Sequence, residues 1–146
     1  MAPMTTAAPR ITTADLMAAV SAVSSAFWID FAGAAGRHGL SSSQAKALGV
    51  VTEAVPMRAL AGRLGCDASN VTGIVDRLET LGFARREAAS TDRRVKIVTI
   101  TDPGREVLEQ IRADMTRAHR ALESLDPGQR ESLLAMCDQI LPLLQG

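Results

Sequence analysis

The hydrophobic pattern changes period once along this chain, and that change is the feature that most constrains the fold. Between residues 57 and 81, apolar residues recur at helical intervals in two short runs separated by Gly65-Cys66-Asp67. After Gly82 the pattern alternates instead, in segments 85–88 and 94–100 around a polar turn. Helical spacing followed by alternation is typical of two amphipathic helices and a β-hairpin. The sequence therefore predicts a mainly α domain that carries a small β-hairpin wing.

Further helices flank this central region. A stripe from Leu16 to Phe31 predicts a long first helix, and Ser41 with Gln44 forms a capping-box pattern that begins a short second one. Behind the hairpin, Thr101 and Pro103 begin a helix whose apolar stripe extends to Leu122. A last helix begins at 126–127. The predicted order is four helices, a hairpin and two helices, which makes about six helices in all.

We divide the 146 residues into three parts. Residues 1–10 form a flexible N-terminal tail, and residues 41–102 form a winged helix-turn-helix lobe. Residues 11–40 and 103–146 form a second lobe whose first and last helices are apolar on more than one face. Because such helices need a second surface to cover them, we expect these two segments to be dimerisation helices within one continuous domain.

Composition excludes several classes of protein. The chain has no Tyr, three Phe and one Trp, which disfavours surfaces that stack unpaired bases. Two cysteines with no metal-ligand spacing disfavour a disulfide scaffold or a zinc site. The apolar stretch 16–29 is shorter than the roughly 20 residues that span a bilayer, so no membrane helix is expected. The sequence also lacks a recognisable nucleophile motif or phosphate loop, so we expect no enzyme and no metal.

Charge is unevenly distributed although the formal net charge is zero. Residues 56–105 hold nine basic and six acidic side chains, and the segment after them is acidic by the same margin. A basic middle region indicates contact with a polyanion there, although ordinary surface scatter would give the same excess.

The second of the two central helices has a polar outer face. Ser69, Asn70, Thr72 and Arg77 lie off its apolar stripe, and Gly73 lies among them. Short polar groups near the start of a helix can reach base edges in the major groove, while an arginine further along suits the phosphate backbone. Glycine here lowers helix propensity, and close approach to DNA would compensate. This face is either a DNA-reading surface or an ordinary solvated face.

The predicted hairpin is rich in arginine. Arg93 and Arg94 lie at its tip beside Asp92, and Arg85 and Arg86 lie on the preceding strand. An arginine at such a tip can enter a narrow minor groove. Asp92 would repel phosphate if it were free, so we expect it to pair with Arg94 and to hold the loop rigid.

Several short motifs make the chain resemble the MarR family of bacterial regulators. They are Leu60-Ala61-Gly62-Arg63-Leu64, Asn70-Val71-Thr72, Asp76-Arg77-Leu78-Glu79, Leu81-Gly82, and Asp92-Arg93-Arg94 with Ile100-Thr101-Asp102-Pro103-Gly104. The resemblance covers nearly the whole chain, and the wing is its most specific part. It implies a cytoplasmic homodimer that binds double-stranded DNA at inverted-repeat operators, commonly as a repressor. Carried over by position, it makes the outer face of the second central helix and Arg93 and Arg94 the DNA contacts. Gly73 and Ile100 depart from the commoner family residues, which leaves base preference open.

The resemblance also implies a small aromatic or phenolic effector, bound between the two lobes, and no other cofactor. Trp28 and His38 lie near the position where relatives place that cavity. Packing is the alternative for Trp28, and closing a helix end is the alternative for His38.

Two other functions remain open from the sequence. A helical protein-interaction module that has lost DNA binding would show no salt-dependent affinity for DNA. A redox-sensing regulator would use Cys66, at the turn into the second central helix. Peroxide-sensing relatives resemble one another in carrying a reactive cysteine near the start of the first helix, and this chain has none there.

Overall fold

The structure is a computed structural model that describes residues 10 to 145. Within that range the chain forms seven helices and three short strands. The helices are α1 (Thr13–Arg37), α2 (Ser42–Val50), α3 (Met57–Leu64), α4 (Ala68–Thr80), α5 (Asp102–Ala113), α6 (Thr116–Glu123) and α7 (Pro127–Gln145); the strands are β1 (Val55–Pro56), β2 (Ala84–Ala88) and β3 (Lys96–Ile100). The predicted mainly α fold with a hairpin wing is confirmed. The predicted tail lies outside the described residues except for Arg10.

The predicted helix starts agree with the cap geometry at two positions. The Ser41 hydroxyl accepts a hydrogen bond from the Gln44 N–H, and the Gln44 side chain accepts one from the Ser41 N–H. Asp126 and Gln129 make the same reciprocal pair before α7. Asp67 occupies the N-cap position of α4, but its carboxylate makes no cap hydrogen bond. Reciprocal side-chain caps are therefore formed before α2 and α7, and the Asp67 carboxylate forms none before α4.

The hairpin belongs to a three-stranded antiparallel sheet of order β1-β3-β2. Ala84 pairs with Ile100 and Ala88 with Lys96, close to the predicted strand limits. The two-residue strand β1 was not predicted. Pro56 lies in it and directly precedes α3.

The core lies in the central lobe. Leucines and valines from α2, α3, α4 and the sheet meet Ile111 of α5 there; the fully buried large side chains are Leu48, Val51, Val55, Leu60, Val71, Val75, Leu78, Val98 and Ile111. These side chains include the inner stripes predicted for α3 and α4. The core therefore fixes which face of α4 points outward.

The helix predicted to follow Thr101 is broken, and both of its new ends are bonded to α1. The Arg37 side chain donates to the Asp114 carbonyl at 2.6 Å, and the Asp30 carboxylate accepts from the Ala118 N–H at 2.9 Å. These long-range bonds satisfy backbone groups that a continuous helix would have paired internally. The stripe is buried as far as Met115, while Leu122 is exposed.

Helices α1 and α7 are exposed along most of their length. In α1 the buried residues are Phe31, Ala34 and Ala35, and α7 buries no residue. Over its whole length, Thr13–Arg37, α1 is long and apolar enough to cross a membrane by length and composition alone, whereas the sequence-based expectation considered the shorter stretch 16–29. Its last turns, however, bond to α5 and α6 through Arg37 and Asp30 as described above.

Candidate nucleic-acid interface and effector cavity

Helix α4 is set by the turn that precedes it. Gly65 ends α3 with a φ of 66°, a left-handed conformation that suits glycine, and Asp67 then begins α4. Val71, Val75 and Leu78 are buried against the core. The opposite face of the helix is consequently directed to solvent.

All the residues predicted to read DNA from this helix are exposed. They are Ser69, Asn70, Thr72, Gly73 and Arg77. A Cβ built on Gly73 meets no atom within 4 Å, so packing inside the chain does not require glycine at this position. The outer face of α4 therefore presents hydroxyl, amide and guanidinium groups with an open backbone patch among them.

The wing tip is a compact turn. The Val95 N–H donates to the Asp92 carbonyl at 3.0 Å, and the Ala89 N–H donates to the Val95 carbonyl at 2.9 Å. The Asp92 carboxylate accepts from the backbone N–H of Arg94 at 2.9 Å, instead of pairing with its guanidinium as the sequence suggested. The brace exists, but it acts on the backbone, because an Asp side chain readily bonds the amide two residues ahead. Arg93 and Arg94 are exposed.

The two arginines of β2 differ in their exposure and in their bonding partners. Arg85 is 60% exposed and its side chain lies 3.4 Å from the Glu87 carboxylate. Arg86 is 26% exposed, and its guanidinium bonds two carboxylates of α4, those of Asp76 and Glu79. Arg85 is thus placed at the surface, whereas the sequence-based assignment of Arg86 to DNA contact does not fit its position.

A cavity of about 230 Å³ lies between α1, α2 and α5. Aromatic and cationic side chains share its wall; those that carry the argument are Phe27, Trp28, Phe31, Lys46 and Arg112. Trp28 packs edge-on against Phe31 with ring centroids 5.2 Å apart, and the Lys46 ammonium lies 5.5 Å from the Trp28 ring centroid. Such a wall suits a flat ring that carries negative charge.

His38 is not part of this wall. Its Nε2 lies 2.8 Å from the Asp114 carboxylate, and the side chain is 20% exposed. It therefore ties the end of α1 to the α5–α6 break, and the sequence-based placement of His38 in the effector cavity is wrong for this cavity. Trp28, the other predicted residue, does line it.

Comparison with known proteins finds a family model that matches part of the chain. The MarR family model matches residues 51–96, which run from the end of α2 through α3, α4 and the wing to the start of β3. The solved structure of the transcriptional regulator BldR from Sulfolobus solfataricus covers 90% of this chain and 99% of its own, with 29% identity and a TM-score of 0.71. Over residues 51–96 this chain is therefore similar to the MarR family.

A curated relative and a second solved structure are also similar to this chain. The Bacillus subtilis HTH-type transcriptional regulator YfiV is 31% identical over 51% of this chain and 47% of its own length. The chain spans about half the length of the curated relatives it matches. CouR from Rhodococcus jostii RHA1, solved with p-coumaroyl-CoA, is 26% identical over 87% of this chain and 89% of its own, with a TM-score of 0.69. BldR and YfiV are both named as transcriptional regulators.

Three residues that make these contacts were not predicted from the sequence. Lys46 and Arg112 carry the charge of the cavity, and Glu79 bonds Arg86. Lys46 and Arg112 lie 66 positions apart on different helices, so no local spacing signals their proximity. The sequence could have suggested the Glu79 contact, because α4 and β2 are adjacent in the chain and carry opposite charges.

Proposed function

We propose that this chain is a ligand-responsive repressor of MarR type that binds a pseudo-palindromic operator in double-stranded DNA. One observation carries the proposal. The exposed polar face of α4 lies in the same lobe as a wing whose tip arginines, Arg93 and Arg94, are exposed. A helix that presents short polar groups beside a basic hairpin suits the major groove and the adjacent minor groove.

Residues of α4 supply the base contacts in this proposal. Asn70 can bond the edge of an adenine with two hydrogen bonds, and Ser69 and Thr72 can bond bases or phosphates. Arg77, one turn further along, suits the phosphate backbone. Gly73 allows the helix to approach the groove closely, since its Cα is open to solvent.

Residues of the wing supply backbone and minor-groove contacts. Arg93 and Arg94 are placed for this at the tip, and Arg85 is placed for a phosphate on β2. Asp92 holds the turn by bonding the Arg94 N–H, so its charge is partly satisfied inside the loop. The proposal therefore gives DNA binding to the lobe of residues 41–102.

The remaining residues, 11–40 and 103–146, provide the dimerisation helices. Large apolar side chains on α1 and α7 are exposed in the single chain; examples are Val20 at 60% and Leu141 at 53%. A second copy that covers them would set two α4 helices on one face. Two such helices in successive major grooves require half-sites about one helical turn apart.

The effector of the proposed regulator is a small aromatic anion bound in the Trp28 cavity. Lys46 and Arg112 offer positive charge there, and the three aromatic side chains offer apolar faces. The structural neighbour CouR was solved with an aromatic thioester, p-coumaroyl-CoA. A regulator that meets both DNA and a metabolite acts in the cytoplasm, where we place this chain.

Fluorescence anisotropy with labelled duplexes tests the proposal. The specific duplex is the DNA upstream of the protein's own gene or one selected from a random pool, and a scrambled duplex is its control. We expect dimer stoichiometry, preference for the specific duplex, and an affinity that falls as salt rises. Equal weak binding to both duplexes would instead favour an interaction module without DNA recognition.

Two variants then separate the two kinds of contact. Arg93→Ala should weaken binding to all sequences and lower the slope of log affinity against log salt by about 1. Asn70→Ala should lose about 1 to 3 kcal/mol at one base position and leave the slope unchanged. Equal losses of Asn70→Ala on specific and scrambled duplexes contradict its assigned role.

A further inference from the structure

Helix α4, which the proposed function places in the DNA groove, has a charge that is unfavourable for contact with phosphates. Helix α4 carries Asp76 and Glu79 against the single basic residue Arg77, so it has a net negative charge. Asp76 is 57% exposed and Glu79 is 32% exposed. Free carboxylates on a helix that enters a groove lined by phosphates oppose binding, because like charges are brought together.

Arg86 of β2 forms ion pairs with both carboxylates. Its Nη1 lies 2.7 Å from Glu79 Oε2, and its Nη2 bonds Asp76 Oδ1. Nη2 also lies 3.4 Å from the Thr72 carbonyl oxygen. We call Arg86 together with Asp76, Glu79 and the Thr72 carbonyl the Arg86 clamp. The planar guanidinium can reach several acceptors in fixed directions, which the ammonium of lysine cannot do.

The backbone takes part in the same contact. Glu79 Oε1 accepts a hydrogen bond from the Arg86 N–H at 2.7 Å. One carboxylate therefore holds both the main chain and the side chain of a wing residue. Because β2 continues into the wing tip, this contact sets the position of the wing relative to α4.

We infer that Arg86 is a positioning residue for DNA recognition: it neutralises the acidic side of α4 and fixes the wing against it, without touching DNA. This inference rests on the proposed DNA binding. It replaces the direct phosphate contact that the sequence alone suggested for Arg86. The carboxylates, and not a phosphate, are the partners of this guanidinium.

A double-mutant cycle on Arg86 and Asp76 tests the inference. Arg86→Met leaves two uncompensated carboxylates, and we expect affinity for the specific duplex to fall by about tenfold or more. Asp76→Asn alone should change affinity by less than about threefold, since Arg86 still pairs with Glu79. The double variant has the same net charge as the wild type, and we expect it to recover most of the lost affinity. The signal is this non-additivity.

A direct phosphate contact gives a different pattern. Arg86→Met would then lower the salt slope by about 1, and Asp76→Asn would raise affinity equally in both backgrounds. That pattern overturns the inference, as does unchanged affinity of Arg86→Met. A wild-type protein without salt-sensitive DNA binding overturns the inference and the proposed function together.

Controls separate recognition from folding. Arg120→Met removes the same charge from the exposed surface of α6 and should leave affinity within about threefold, since screening weakens distant charges. Urea unfolding midpoints show which variants fold. Arg86→Lys retains the charge and serves in the cycle if Arg86→Met unfolds, with a smaller loss that Asp76→Asn again restores.

Discussion

Gly104 helps to position α5 because it has no side chain. It lies in the first turn of α5, where an added Cβ would overlap the Phe83 carbonyl oxygen. The same carbonyl accepts the Thr101 N–H at 3.0 Å, and the Thr101 hydroxyl bonds the Gly82 carbonyl. The start of α5 is thereby held against the end of α4, next to the wing.

We predict that Gly104→Ala destabilises the protein by about 1 to 3 kcal/mol or more, because the backbone must move to admit the methyl group. Urea unfolding followed by circular dichroism measures this loss. An unchanged midpoint would show that α5 can shift away from Phe83 without cost.

The corresponding substitution at Gly73 should change stability in the opposite direction. Its added Cβ meets open space, so Gly73→Ala should stabilise α4 by about 1 kcal/mol through helix propensity. If DNA approaches this patch, the same variant should bind the specific duplex more weakly although it is more stable. Higher stability with unchanged affinity would show that Gly73 is not at the interface.

At this scale the sequence predicts the outward residues of α4 well, because a helical stripe defines its own opposite face. It does not predict side-chain partners. Asp92 bonds a backbone amide rather than a guanidinium, and His38 bonds Asp114. Arg86 bonds two carboxylates of α4, where the sequence suggested a contact with DNA. Each side chain has several possible partners nearby, and the folded geometry decides which of them it bonds.

Among the elements, the break between α5 and α6 depends most on distant residues. An unbroken apolar stripe predicts one helix. Hydrogen bonds with Asp30 and Arg37, more than 75 positions away, instead stabilise the end of α5 and the start of α6. The sequence does not predict strand β1 for the same reason, because its two residues form a strand only by pairing with β3. Local patterns cannot reveal elements that long-range bonds define.

We predict that Asp30→Ala destabilises the protein by about 1 kcal/mol, the usual cost of removing a side-chain cap. Asp15→Ala is the control, since it removes a cap carboxylate at the exposed start of α1. The hydrogen bond from the Thr12 hydroxyl, and then that from its N–H, lowers the pKa of this carboxyl. Hydrogen exchange should report opening of α6 in Asp30→Ala and of the start of α1 in Asp15→Ala. Equal protection of the Ala118 amide in both variants would contradict the assigned cap.

The whole molecule has its exposed apolar side chains concentrated in two of its seven described helices. On α1 they include Leu16, Met17, Val20 and Val23; on α7 they include Leu134, Leu141, Leu143 and Leu144. Soluble monomers rarely leave this much apolar surface uncovered. The sequence already indicates that these helices need a partner, but the pattern does not define the geometry of the pairing.

We therefore predict that Val20→Asp combined with Leu141→Asp converts the proposed dimer to a monomer. Gln110→Glu, which adds a charge on the exposed face of α5, should remain dimeric. Sedimentation velocity distinguishes the two states directly. For the wild type, the thermal midpoint should rise with protein concentration, because association stabilises the folded state by mass action.

The monomer gives the decisive link between assembly and recognition. In the proposed dimer, two α4 helices would contact two half-sites, so the second contact would be made at high effective concentration. Separating the copies should reduce affinity for the full operator by about a hundredfold or more, while affinity for a single half-site changes little. If the monomeric variant bound the full operator as tightly as the wild type, the two half-sites would be read independently and the exposed helices would serve another partner.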